Sequence, residues 1–263
     1  MRADAGDQRE ERLARRLLLP AAPFMIAHRG ASARAPESTR AAIRAAIRSG
    51  AHMVELDVQM TRDERLVIFH DDRLERTTDG RGRLTQMRYE QLARLDAGRW
   101  FHSRFAGERI LLVSQAVRLI PSRKGVILEL KRTMRRRVLL RHLAQLVTQL
   151  SIRRRLLVSS FDPLLLAPLR RYRIASALLC HRKPDQSLRR AIRLGCLAWH
   201  PHVTLVSPRR IRAAHAAGLR VHTWTVDQLQ QAQRVIRWGV DGIFTNDPTR
   251  LRQAFRHTRP RVP

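Results

Sequence analysis

Short β-rich runs alternate with longer amphipathic segments along most of this 263-residue chain, and that alternation restricts the fold more than any other feature. Strands are expected at 24–28, 53–58, 66–70, 125–130, 156–160, 174–179, 196–200, 220–226 and 242–245. Helices are expected at 39–49, 114–122, 136–150, 163–171, 185–194, 208–217, 228–238 and 248–256. Strands that alternate with helices in this way form βα units around a parallel sheet. Many such units without a linker-like change of composition point to an α/β fold, a TIM (β/α)8 barrel. A doubly wound open sheet is the alternative, but no G-x-G-x-x-G follows a strand. Nine strands compete for the eight places of such a barrel. The 59–65 connection is too short for a crossover helix, so 53–58 and 66–70 are expected to pair as a hairpin, with 66–70 an accessory strand. Residues 71–113 then form a small insertion at the barrel mouth, with a short helix near 86–96 and an aromatic patch at Trp100, Phe101 and Phe105. The expected organisation is a poorly ordered lead-in over 1–20 and a single barrel domain over 21–263.

Composition narrows the setting. Hydrophobic residues make up 44%, enough for a real core, so disorder along the whole chain is excluded despite a net charge of +30. No run of 18 apolar residues exists, which excludes a transmembrane helix. Residues 12–27 imitate a secretory signal, but acidic residues lie upstream and Pro20 and Pro23 interrupt the apolar stretch. Cys180 and Cys196 are too few for a disulfide framework or a zinc site; both are expected in the core of a cytoplasmic protein. The charge is uneven: 24 basic and 17 acidic residues precede position 131, and 28 basic and 5 acidic residues follow. Such a field attracts nucleic acid, anionic membrane surfaces or phosphorylated small molecules. Nearly all the cations are Arg, which reads as a chain-wide preference on solvated helix faces. No zinc-finger, RNP or helix-turn-helix pattern appears and aromatics are only 5%, so nucleic-acid binding is not expected. Loose association with an anionic membrane surface stays open.

Because acids are scarce, their positions are informative. Glu55 and Asp57 lie two apart on one predicted strand and so share a face. Glu129 ends another apolar strand, with Lys131 two residues on. Carboxylates on such strands are rarely buried unless paired or metal-bound, and three converging at one mouth would repel each other. One hard divalent cation, Mg2+ or Ca2+, would relieve that with oxygen ligands. His28 and His70 both end predicted strands beside this group, a placement suited to a general base and a general acid. Arg29 and Lys131 are candidates for holding a phosphate, and Gly30 for a backbone turn. Trp224 is the candidate pocket wall.

The ordered motifs H-R-G (28–30), P-E-S (36–38), V-E-L-D-V (54–58), T-x-D (61–63), V-x-x-H-D (67–71), L-E-L-K (128–131), S-S-F (159–161), W-T-V (224–226) and D-G-I-F-T-N-D-P (241–248) resemble the glycerophosphodiester phosphodiesterase family over about residues 24–256. The resemblance implies a TIM barrel with a small insertion after the early strands. It implies hydrolysis of glycerophosphodiesters to sn-glycerol 3-phosphate and an alcohol. It matches His28 and His70 to the acid/base pair, and Glu55, Asp57 and Glu129 to the metal ligands. Arg29, Glu37 and Lys131 match positions near phosphate and metal, and Trp224 matches a pocket aromatic. His28 is expected as base and His70 as acid.

Two departures stand out. Ser38 occupies a place where the family usually has Asn; it is expected to cap the helix near 39. Residues 111–115 read LLVSQ where many members carry Pro-Thr-Leu-Glu, so this stretch is expected to alter the pocket edge and the leaving-group preference. The alternative activity is lysophospholipase D-type cleavage of lysophospholipids at a membrane. That would require an exposed apolar rim, with Trp100, Phe101 and Phe105 as its candidates. A basic nucleic-acid-binding protein is the alternative from another class.

Overall fold

The computed structural model describes residues 23–255. The expected lead-in at 1–20 lies outside the described residues. Nine strands form in chain order: β1 (Phe24–Ala27), β2 (Met53–Met60), β3 (Leu66–Ile68), β4 (Gly125–Leu130), β5 (Leu156–Ser160), β6 (Ala175–Cys180), β7 (Ala198–Pro201), β8 (Arg220–Thr223) and β9 (Gly242–Thr245). All but β3 pair in parallel, in the order β1-β2-β4-β5-β6-β7-β8-β9, and β9 closes onto β1. This is an eight-stranded TIM barrel. β3 runs antiparallel to β2, with Val58 opposite Ile68, as the short connection requires.

Helices cover the outside: α1 (Arg40–Arg48), α2 (Tyr89–Leu92), α3 (Val113–Leu119), α4 (Arg136–Gln149), α5 (Pro163–Leu166), α6 (Pro184–Arg193), α7 (Pro208–Ala216), α8 (Leu229–Arg237) and α9 (Pro248–Phe255). The expected 163–171 helix is α only to Leu166 and continues as a 3-10 segment, because Pro168 cannot donate a backbone hydrogen bond.

Strand alternation sorts the side chains into two cores. Met25, Ala27, Val54, Leu56, Val126 and Leu128 face outward into the main core beneath the helices, which also holds Trp199, Cys180 and Cys196. Phe24, Ile26, Met53, Ile127, Leu157, Ala177, Ala198 and Phe244 face inward and fill the lower barrel. The same inward parity, continued upward along β2 and β4, delivers Glu55, Asp57 and Glu129 to the C-terminal mouth. The insertion makes its own small core from Leu74, Leu84, Leu92, Ala97 and Ile110 against Val67 and Phe69 of the accessory hairpin. Trp100, Phe101 and Phe105 stack edge-to-face on one another there, and none of them lines the cleft at the mouth. They therefore do not wall the cleft itself, although Trp100 stays 41% exposed on the insertion.

Candidate active site

The mouth holds a cleft of about 140 Å³ lined by His28, Arg29, Glu55, His70, Glu129, Lys131, Phe161 and Trp224, among others. Each side chain arrives from the inward face of a strand or from the loop that follows it. Arg29 and Gly30 turn the chain after β1 with positive φ. A Cβ on Gly30 would sit 2.7–2.8 Å from backbone and side-chain atoms of Ala42, so only glycine fits that turn. The turn aims the Arg29 backbone N–H at Glu55 Oε2, 2.9 Å away.

Glu55, Asp57 and Glu129 converge, with ligand oxygens all within 4.8 Å of one another. Asp57 and Glu129 are direct partners across the β2–β4 ladder. Lys131 Nζ lies 2.7 Å from Asp57 Oδ1, and Arg29 Nε lies 3.3 Å from Asp57 Oδ2. These contacts supply charge without hydrogen-bond direction. Glu55 Oε1, both Asp57 oxygens and Arg29 Nε stay buried without a hydrogen-bond partner. Burial, then the neighbouring Asp57 and Glu129, push the Glu55 carboxyl well above the usual carboxylate range. Burial and Asp57 likewise push Glu129 up to about 7 against the pull of Lys131. For Asp57 burial acts upward too, but Lys131 and Arg29 prevail and hold it below its ordinary value. Buried carboxyl oxygens with unfilled lone pairs, crowded enough that their mutual repulsion favours holding a positive charge between them, are a donor set that fits a hard divalent cation.

The two histidines are held differently. Asn246 donates its amide to Asp227 Oδ2 (2.6 Å), and Asp227 Oδ1 also accepts the Asn246 backbone N–H (2.7 Å). The Asn246 carboxamide oxygen is thereby turned toward His28 Nδ1, 2.8 Å away. Nδ1 must then carry the proton, which leaves Nε2 of His28 bare. Burial, then the Arg29 charge, push His28 down to about 4, so it is neutral near pH 7. His70 Nδ1 instead faces the Asp71 carboxylate. Asp71 is fixed by Arg76, which also reaches Glu37 with two contacts of 2.8 and 2.9 Å. Glu37 in turn bonds Arg29 at 3.0 Å. Burial lowers His70 from its ordinary value, while Asp57 and Asp71 oppose that. Gln59, inward of the hairpin, donates to the carbonyls of Phe69, His70 and Asp71 and anchors the loop that carries His70.

Trp224 lines the cleft and its indole N–H bonds the His200 carbonyl at 2.8 Å; its peptide bond to Thr225 is cis. All nine residues singled out in the sequence thus meet at one mouth. Two local expectations are corrected. Thr39, not Ser38, caps α1; Ser38 has φ 62 and its hydroxyl makes no hydrogen bond. The left-handed backbone at Ser38 is one that Asn tolerates better than most residues. Residues 111–115 do not edge the cleft: Leu111 and Leu112 pair with the accessory hairpin, and Gln115 caps the start of α3. Asn246, Asp227, Asp71, Arg76 and Gln59 were not singled out for roles. The motif D-G-I-F-T-N-D-P contains Asn246, but nothing local marks its partnership with a residue 218 positions away.

Comparison with known proteins adds an independent line. Residues 28–250 match the profile of the glycerophosphoryl diester phosphodiesterase family. A glycerophosphodiester phosphodiesterase of Caldanaerobacter subterraneus subsp. tengcongensis is 33% identical over 235 residues, covering 87% of this chain and 96% of that protein. One of Bacillus altitudinis is 33% identical over 236 residues, covering 86% and 95%. Among solved structures, an Oleispira antarctica phosphodiesterase in complex with the product sn-glycerol-3-phosphate superposes with a TM-score of 0.83 at 30% identity, covering 89% of this chain and 97% of that one.

Proposed function

The chain belongs to the glycerophosphoryl diester phosphodiesterase family, and we propose on that footing that it hydrolyses glycerophosphodiesters to sn-glycerol 3-phosphate and an alcohol by paired-histidine catalysis beside one divalent cation. The observation that carries the proposal is the cluster of three crowded carboxylates, two of them with buried oxygens that lack a hydrogen bond, flanked by two imidazoles held by unlike partners.

Glu55, Asp57 and Glu129 would hold the cation, Mg2+ or Ca2+. When bound it supplies Lewis acidity toward a phosphoryl oxygen and offsets carboxylate repulsion. Arg29 and Lys131 place positive charge where the phosphoryl oxygens gain negative charge in the transition state. His28 is neutral with a bare Nε2, and it takes a proton from the nucleophile. His70 is lowered by burial, but the Asp71 carboxylate at its Nδ1 opposes that and orients the ring, and His70 donates a proton to the departing alkoxide oxygen. Glu37 and Arg76 act through others: they brace Arg29 and Asp71. Trp224 and Phe161 give the organic part of the substrate an apolar wall.

Cleavage of lysophospholipids is a second reading. It has in its favour Phe161, 41% exposed on the cleft wall, and Leu164, three residues on and 59% exposed. Both cysteines are free, which fits a cytoplasmic setting, and among the described residues no helix is long and apolar enough to cross a membrane.

Turnover of glycerophosphocholine and of lysophosphatidylcholine by wild type and by Glu55→Gln tests these readings together. The proposal expects the water-soluble diester to be cleaved faster and the variant to be nearly inactive on both. Faster cleavage of the lysolipid would select the second reading, and an active variant would remove Glu55 from the site.

A further inference from the structure

The catalytic cleft has a larger neighbour at the same mouth. This second cavity, about 460 Å³, shares Phe161 and Leu179 with the cleft as a common wall. The Phe161 ring stands 5.6 Å from Trp224 on the catalytic side and 5.2 Å from His181 on the other, so a single aromatic ring divides the two spaces. The far side is lined by Arg132 after β4, Arg182 and Lys183 after β6, and Arg190 on α6. Among the described residues no carboxylate lines it. Among the described residues, none of these four cations makes an ion pair. The cations around them differ: Arg76 pairs with Glu37 and Asp71, Lys131 with Asp57 and Glu129, Arg135 with Glu64 and Arg136 with Asp162. One sector of the mouth therefore carries positive charge that no described carboxylate pairs with.

A phosphodiester seated in the cleft must send its two substituents in different directions, and the second cavity is the space that opens beside it past Phe161. We propose that the second cavity receives the departing alcohol and selects one that carries its own negative charge, a phosphate-bearing alcohol. The inference rests on the phosphodiesterase reading above. In the reaction the bond from phosphorus to the alcohol oxygen breaks, water supplies the new oxygen on phosphorus, and a proton passes to the alcohol oxygen. The alcohol's remote phosphate meets the guanidinium forks of Arg182 and Arg190 and the ammonium of Lys183. A quaternary ammonium alcohol in the same place meets four like charges, with no carboxylate among the described lining residues to offset them.

The test compares kcat/KM for three diesters that differ only in the alcohol: bis(glycerophospho)glycerol, whose alcohol bears a phosphate, glycerophosphoglycerol, which is neutral there, and glycerophosphocholine, which is cationic. Wild type should prefer the phosphate-bearing diester over the neutral one by about tenfold at low salt, with the preference shrinking as salt rises. The Arg182→Gln, Arg190→Gln double variant should bring that ratio close to one, through KM rather than kcat. A preference for the cationic diester, or a ratio the double variant leaves unchanged, overturns the inference. An equal fall on all three diesters does so too, because it marks the arginines as structural. If the double variant instead loses affinity for anionic phospholipid vesicles while keeping the ratio, the cations face a membrane and the inference fails. Cleavage of none of the three would remove the phosphodiesterase reading itself, whereas cleavage without charge preference removes only this one.

Discussion

Asp57 and Asp241 are both buried carboxylates at opposite ends of one barrel, and they live in opposite conditions. Asp241, just before β9 at the lower end, accepts the Val221 N–H at 2.8 Å, His215 Nε2 at 2.8 Å and Arg220. Those partners hold it below the usual carboxylate range, although burial acts the other way. Asp57, at the mouth, has cations nearby but no directed hydrogen bond to either oxygen, and two more carboxyls crowd it. The lower end uses its acid to fix structure. The mouth keeps its acids short of partners, which costs stability and leaves oxygens ready for a ligand. The contrast predicts that substitutions at the mouth change chemistry and substitutions below change folding.

The largest expected effect is at the mouth. His28→Ala or His70→Ala should lower kcat by roughly 10²–10⁴-fold while urea unfolding stays close to wild type. A variant that retains the wild-type rate removes that histidine from the reaction. Below, Leu157→Ala empties part of the fully buried inner layer and should cost about 2–5 kcal/mol in urea unfolding, with kcat changed little. Inactivation without destabilisation would reverse the comparison.

The lower barrel carries one polar pair of its own. His200 Nε2 and His222 Nδ1 lie 2.9 Å apart, both rings fully buried, with their outer nitrogens unbonded. Burial, with the like charge of the partner, drives His200 well below its ordinary value. Burial pushes His222 from 6.5 to about 4. The unfolded chain therefore binds the His222 proton at higher pH than the folded chain does. Stability is intact above pH 6.5 and is lost as pH falls toward 4, by about 3 kcal/mol for His222. A His200→Leu, His222→Leu double variant should reduce the slope of the unfolding free energy over that window and leave the share carried by His28, which burial also pushes down to about 4; an unchanged slope would assign the acid sensitivity elsewhere. The smallest effect is expected at Asn246→Ala, which leaves His28 in place but frees its ring. It should lower kcat by about 10–100-fold with little change in KM. A change in KM alone would make Asn246 a substrate contact instead of a positioning residue.

The sequence made the barrel and the acid cluster legible for the same reason. Period-two parity in β2 and β4 is local, so Glu55, Asp57 and Glu129 announce their common face without knowledge of the fold. The accessory hairpin was legible because seven residues cannot cross over a sheet. What stayed hidden depends on contacts between distant segments. The Asn246 partnership with His28 and the packing of His200 on His222 exist only once the barrel closes. The place of the Trp100 patch relative to the cleft was hidden for the same reason, since only the folded chain sets where an insertion's aromatics stand. Ser38 misled because a good capping residue is useless with left-handed backbone.

Calorimetric titration of the metal-stripped protein with Mg2+ and with Ca2+, repeated on Glu55→Gln and Asp57→Asn, tests the role of the three carboxylates most directly. The account predicts one ion per chain for at least one of the two metals, a rise in unfolding temperature on binding, and loss of both in each variant. No uptake of either ion by the wild-type protein, or equal uptake by the variants, would contradict it.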